Sequence, residues 1–214
     1  MEQSNTESTA TTYRLRCTNA SAISWYFYLY YRMVDQSEGN YYSLVWKASP
    51  FEIAPQSFYN FSFTETESFH WLYSENLDAG TLPMAGGGIP AQVPTNNRAL
   101  FNIEENVPQL SNASPEEGST DLAIYTGDKV PNAHFSTGIG MSGSAALVQP
   151  AYANTMQTFP SNLDLWLAAS QSKVWESEVL NLGEISNSIA VQYPLNVSSL
   201  MATINESNEW VLNS

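Results

Sequence analysis

Glycine and proline recur along the whole chain at intervals too short for long helices. The 214 residues include 11 Gly and 11 Pro, and both residue types disfavour a helix interior. The segments between them are short and rich in aromatic and β-branched residues, which favour strands. The sequence therefore predicts an all-β fold, with strands near residues 13–18, 23–31, 42–48, 57–64, 67–74, 98–104, 121–126, 134–140, 145–149, 163–169, 178–182, 188–193 and 199–204.

Side-chain alternation within these segments indicates sheets that are buried on one face. In residues 24–31 the odd positions are apolar or aromatic, whereas the even positions carry a serine and three tyrosines. Because successive side chains of a strand point to opposite faces, one face of this strand is predicted to be core. We predict a single-domain antiparallel β-sandwich over residues 13–214, with long loops at 75–97 and 104–120. Residues 1–12 are polar, and we predict a tail that is flexible or held by a partner.

The charge balance excludes several classes of partner. The chain has 21 acidic and 7 basic residues and a formal net charge of −14, so phosphate backbones and anionic membrane surfaces would repel it. We predict no nucleic-acid binding. No apolar run approaches the ~18 residues of a membrane span, and the first residues lack the basic and apolar regions of a secretory signal. The sequence predicts a protein that is cytoplasmic, or exported without a visible signal peptide.

Residues 138–143 read Gly-Ile-Gly-Met-Ser-Gly and match the G-x-G-x-x-G pattern of a dinucleotide-binding turn. That use of the pattern requires a helix beginning at the third glycine. Two prolines interrupt the segment that follows, and its apolar run is too short for a crossover helix. We therefore predict no cofactor. We assign Gly138, Gly140 and Gly143 to a structural turn at a sheet corner, where backbones approach closely or a bulge bends the sheet.

A serine hydrolase and a metal site are both weakly supported. Ser142 lacks the final glycine of a G-x-S-x-G elbow, and its candidate base, His134, lies eight residues earlier. The two histidines and one cysteine have no spacing typical of a zinc site, and the loop acids lack the order of a calcium loop. We expect no metal and no enzymatic activity. A hydrolase using Ser142 and His134 stays the weakest hypothesis, because it requires a hydrogen bond between the two side chains.

Aromatic residues make up 13% of the chain, a share high enough to require an explanation. Most of the Trp and Phe residues are predicted to fill the core. A core face rarely repeats a hydroxyl at every position, so we predict an exposed aromatic binding face formed by Tyr26, Tyr28, Tyr30, Tyr41 and Tyr42. Such a face would anchor a protein interface or stack on sugar rings.

Several blocks of the sequence resemble one known family. They read "YRLRCTNAS", "FSFTETESFHWLYSENLDAGTLP", "DLAIYTGDKVP" and "STGIGMSGSAALVQPAYANTMQTF", in that order. The chain resembles the RhiA-like family of soil bacteria and their fungal relatives over nearly all residues after 12. It departs from the family at Ser62, where a tryptophan is expected, and in a longer acidic insertion around 104–118. The resemblance implies a compact β-rich protein without a cofactor that interacts with its surroundings, and it assigns no catalytic residue.

These observations favour a non-enzymatic interaction protein that forms a homo-oligomer. Self-association would use the tyrosine face, or the N-terminal tail added as a strand to a sheet edge. The alternative is a lectin-like module that binds a glycan through exposed aromatic side chains.

Overall fold

The computed structural model describes residues 11–33, 41–160 and 162–213. Every regular element in these ranges is a β-strand, which confirms the predicted all-β class. No helix that could cross a membrane occurs among the described residues. The described strands are β1 Thr12–Asn19, β2 Tyr26–Met33, β3 Tyr42–Ser43, β4 Val45–Ala48, β5 Phe58–Thr64, β6 Glu67–Tyr73, β7 Met84–Pro90, β8 Arg98–Glu104, β9 Val107–Asn112, β10 Leu122–Thr126, β11 Phe135–Met141, β12 Ser144–Pro150, β13 Met156–Phe159, β14 Leu163–Ser170, β15 Ser188–Ala190, β16 Ser199–Ile204 and β17 Trp210–Asn213.

The described strands form two pairs of facing sheets. In the first pair, a sheet with the order β17-β16-β1-β5 packs on one with the order β15-β14-β2-β4. In the second pair, β13-β10-β8-β9 packs on β3-β12-β11-β6-β7. The pairings are antiparallel except for β1 with β16 and β8 with β10, which are parallel. The antiparallel prediction is therefore wrong for these two pairs. Strands β1 and β16 come from distant parts of the chain, and β8 and β10 are separated by β9 and the connection that follows it.

Each sheet pair encloses its own apolar core. The first core contains Leu15, Phe27 and Trp46, and the second contains Phe69 and Phe101; all five are fully buried. Burial of such side chains contributes about 1.5–3 kcal/mol each. The hairpin of β11 and β12 connects the cores, because it also supplies Met141 and Ala146 to the first one.

Two predicted loops contain strands. β7 lies within 75–97, and β9 lies within 104–120. β7 includes three glycines, which have poor strand propensity, so pairing with β6 along the sheet edge decides its conformation. The acidic insertion forms the β8–β9 hairpin, whose turn places Glu105 and Asn106 at positive φ. Conversely, the predicted strand 178–182 contributes only the isolated bridge of Val179 with Leu44.

The glycine-rich stretch forms the β11–β12 hairpin. Ser142 and Gly143 occupy its turn, both at positive φ, as a tight two-residue hairpin turn requires. Gly138 and Gly140 lie inside β11 rather than at the turn, and a bulge occurs between Ile139 and Gly140. A Cβ atom on either glycine would overlap backbone of β12. The third glycine leads into a strand, so this stretch is built for close strand contact.

Candidate functional site

A groove of about 470 Å³ lies along strands β6 and β7, outside the second core. Ser68, His70 and Leu72 of β6 line it because alternate residues of a strand share one face. The glycines of β7 line it as well, and Ser144 contributes at the start of β12. Its volume falls within the range of ligand-sized clefts, ~300–1,000 Å³. The groove is therefore large enough to receive a side chain or a small ligand.

Ser68 and His70 form a hydrogen-bonded pair in this groove. Ser68 Oγ lies 2.7 Å from His70 Nε2, and only 8% of His70 is exposed. Burial disfavours the charged imidazolium and lowers the pKa of His70 to about 4. The imidazole is consequently neutral near pH 7, with one donor and one acceptor nitrogen. Glu67, also in the groove, has its pKa raised by burial.

The β7 glycines leave room for two aromatic rings of β6. A Cβ atom on Gly86 would overlap the indole of Trp71. A Cβ atom on Gly88 would lie 2.7 Å from His70 Nδ1, closer than real contacts allow. Glycine at these positions thus allows the rings of Trp71 and His70 to approach the backbone of the edge strand closely.

Strand β7 is the last strand of its sheet, and most of it is exposed. Ala91 N–H donates to Glu67 O at 3.0 Å, and antiparallel pairs alternate between bonded and outward-facing positions. Gly88 and Pro90 therefore face outward, and the Pro90 carbonyl accepts a hydrogen bond from Asn96 Nδ2 at 2.6 Å. β9 lies near β7, but no ladder joins them among the described residues. The N–H and C=O groups of Gly88 are thus available to another strand.

The predicted exposed tyrosine face is wrong. Tyr28 is 5% exposed and Tyr30 2% exposed, because Val174 and neighbouring apolar side chains cover this side of β2. Tyr26 is half-buried on the same strand. Alternation correctly separates the two faces of β2, but the sequence does not reveal that the second face is also covered.

The other two predicted tyrosines lie elsewhere. Tyr41 is half-buried, and its hydroxyl donates to Thr158 O at 2.5 Å. Tyr42 is half-buried in β3 and pairs with Val148. The five tyrosines do not form a single surface, so they do not constitute the predicted binding face.

The hypothesis of a Ser142–His134 pair is also wrong. The two residues flank opposite ends of β11, and eight residues of extended chain span roughly 26 Å. Ser142 Oγ instead donates to Thr64 O at 2.6 Å. The histidine that does contact a serine is His70, and the only sequence signal for it is the S-x-H spacing that places both side chains on one face of a strand.

The fold and groove define an all-β protein with two sheet pairs and a groove at a sheet edge that is lined partly by backbone. The RhiA family model matches residues 10–214, and the chain belongs to this family. It is 30% identical to Protein RhiA from Rhizobium leguminosarum bv. viciae over 203 residues, which are 95% of this chain and 87% of that protein. No solved structure matches the chain.

Proposed function

We propose that this protein is a non-enzymatic interaction protein that self-associates by adding an extended segment of a second copy to the edge of β7. The observation that carries the proposal is the exposed, uncharged, glycine-rich edge strand. Exposed edges with unpaired backbone groups are templates for another strand. Glycine within a strand often marks a place where another backbone approaches closely.

Charge and apolar surface both suit this edge to docking of a second copy. The chain carries a net charge of −14, so two copies repel each other at most orientations. The seven residues of β7 include no ionisable side chain. Met84, at the start of the strand, is 63% exposed and offers apolar surface to the incoming segment.

Residues 1–11 of the second copy are the proposed donor, because Thr12 already pairs with Thr64 of β5. This segment, of which residues 1–10 lie outside the described residues, contains five Ser or Thr residues and no Gly or Pro. Threonine favours strands, and the absence of proline leaves every N–H group available for a ladder. An added strand would gain main-chain hydrogen bonds along β7 and place alternate side chains over the groove.

The proposal assigns no catalytic role to the Ser68–His70 pair. A general base works best when its pKa lies near the working pH, and a pKa of about 4 makes His70 a weak base. Its Nδ1 atom lies against the backbone position of Gly88, rather than against a carboxylate that would orient it.

Light scattering over a concentration series tests self-association. The full chain is expected to form a defined oligomer, and a chain beginning at Tyr13 is expected to stay monomeric. Met84→Lys, which places a charge at the edge, should also dissociate the oligomer. Met156→Lys is the matched control, since Met156 is 54% exposed on another sheet. A monomeric full chain at all concentrations, or equal effects of the two lysine variants, would refute the proposal.

Carbohydrate binding is the second candidate function. A groove of about 530 Å³ lies between β2 and the segment 170–187. Its lining combines the phenol of Tyr28 with the amides of Gln171 and Asn181 and the carboxylate of Glu184, groups that can hydrogen-bond sugar hydroxyls. A glycan array with the wild type and Asn181→Ala tests this. Binding that the substitution removes supports the candidate, and an array without signal rejects it.

A further inference from the structure

A third pocket, of about 280 Å³, lies at one end of the first sheet pair. It forms where β1, β2 and β14 meet the β5–β6 turn and the segment after β15. These elements are distant in sequence, so only the folded chain brings their side chains together. The polar side chains that line the pocket are Tyr13, Tyr31, Glu65, Asp164, Gln192 and Tyr193.

The three phenol rings are held by neighbouring aromatic rings. The Tyr13 and Tyr193 ring centroids lie 4.8 Å apart at an interplanar angle of 64°. Tyr31 packs against Trp46 at 4.9 Å. The Tyr193 hydroxyl donates to Arg14 O at 3.0 Å, which fixes that ring further. The pocket walls are therefore set before any ligand arrives.

The Tyr31 hydroxyl is unusual because it is buried without a partner. Tyr31 is 4% exposed, and its oxygen has no hydrogen-bond partner among the described residues. Buried polar groups are nearly always hydrogen-bonded, and each exception requires an explanation. This oxygen is closed off from solvent, so only the ring of Tyr31 can face the pocket.

The pocket is also electronegative. Glu65 raises the pKa of all three tyrosines by charge repulsion, as the largest cause for Tyr13 and after burial for Tyr31 and Tyr193. The carboxylate is thus near every phenol, and the phenols stay protonated at neutral pH. Among the described residues, no Lys or Arg lines the pocket.

The second carboxylate of the pocket belongs to Asp164, which is paired in register with Arg32. Arg32 lies across the strand pair from Asp164, but its guanidinium carbon lies 5.5 Å from the ring centroid of Trp166. Neither Asp164 nor Glu65 forms an ion pair among the described residues, so both carboxylates contribute negative charge to the pocket.

We propose that this pocket binds a small organic cation, a methylated or primary ammonium group, against the rings of Tyr13, Tyr31 and Tyr193 and beside the carboxylate of Glu65. Aromatic faces attract cations through their quadrupole, and cages of aromatic rings recognise quaternary ammonium groups. The pocket is smaller than a typical drug-sized site, which suits a single headgroup. This inference is independent of the assembly function proposed above.

The test is a titration of the full chain with choline, followed by calorimetry and by the NMR signals of ¹³C-labelled tyrosine rings. The matched neutral probe is 3,3-dimethyl-1-butanol, which has the same shape without the charge. Choline is expected to bind saturably, to shift the ring signals of the three tyrosines, and to bind about tenfold more tightly than the alcohol.

Two variants test whether the carboxylate of Glu65 supplies the negative charge that attracts choline. Glu65→Gln should weaken choline binding by about tenfold, and Glu52→Gln, another exposed acid outside the pocket, should leave it unchanged. Both acids are exposed, so neither substitution removes core packing. The proposal is overturned by equal binding of choline and the alcohol, by the absence of saturable binding, or by equal affinities of the two variants.

Discussion

Acidification should destabilise this protein through His70. The pKa of His70 is lowered by burial from 6.5 to about 4 in the folded chain. The unfolded state therefore binds more protons than the folded state between these values, and stability rises with pH in that window. Stability is fully present above the unfolded pKa and is lost as the pH falls toward the folded pKa. The shift corresponds to about 3 kcal/mol in full, of which about 2 kcal/mol is lost by about pH 5.

Urea denaturation of the wild type and His70→Gln at several pH values measures this effect. Carboxyl groups also titrate at low pH, and Glu67, with its raised pKa, changes stability in the opposite direction. The informative quantity is therefore the difference between the two proteins, which should shrink by about 2 kcal/mol between neutral pH and about pH 5. His134→Gln is the matched control, because His134 is exposed, and should follow the wild type. A difference between the wild type and His70→Gln that does not change with pH would refute the reasoning.

Four further perturbations have defined outcomes. Tyr31→Phe removes a buried hydroxyl without a partner among the described residues, so it should raise the free energy of unfolding by about 1 kcal/mol in urea denaturation; a loss of stability would mean that the hydroxyl is bonded. Gly140→Ala should cost ~3 kcal/mol or more, because its Cβ would overlap the Ser144 carbonyl. Gly143→Ala has open space but a φ of +76° and should cost only about 1 kcal/mol; similar thermal shifts for the two variants would contradict this contrast. Raising the salt concentration from about 0.01 M to about 0.15 M should strengthen self-association of this acidic chain, since screening weakens repulsion between copies; light scattering that shows weaker association would contradict it.

The strand pattern was largely predictable because it depends on local alternation. Residues 24–31 show which side of β2 faces the first core, and the observed strand confirms it. The same pattern wrongly predicts that Tyr28 and Tyr30 are exposed. The segment that covers them lies around Val174, about 145 residues later in the chain. Alternation distinguishes the two faces of a strand, but it does not reveal whether a distant segment covers the polar face.

The candidate sites were less predictable for a related reason. Ser68 and His70 share one face by spacing alone, yet their hydrogen bond and the lowered pKa of His70 depend on burial by other strands. The sequence predicts a loop in place of strand β7, because glycine has poor strand propensity. Pairing with β6 instead makes this segment an edge strand. Tyr13, Tyr31 and Tyr193 meet only because β1, β2 and the segment after β15 converge.

The sequence by itself determined the all-β class, the alternating core positions and the family. These follow from propensities, from the two-residue period of a strand and from motif blocks, all of which are local properties of the chain. The tertiary structure alone decided that there are two sheet pairs, which edge strand is open and which tyrosines line a pocket. Those features depend on long-range pairing and burial, which lower a pKa, expose a backbone or leave a hydroxyl unpaired only when distant segments pack together.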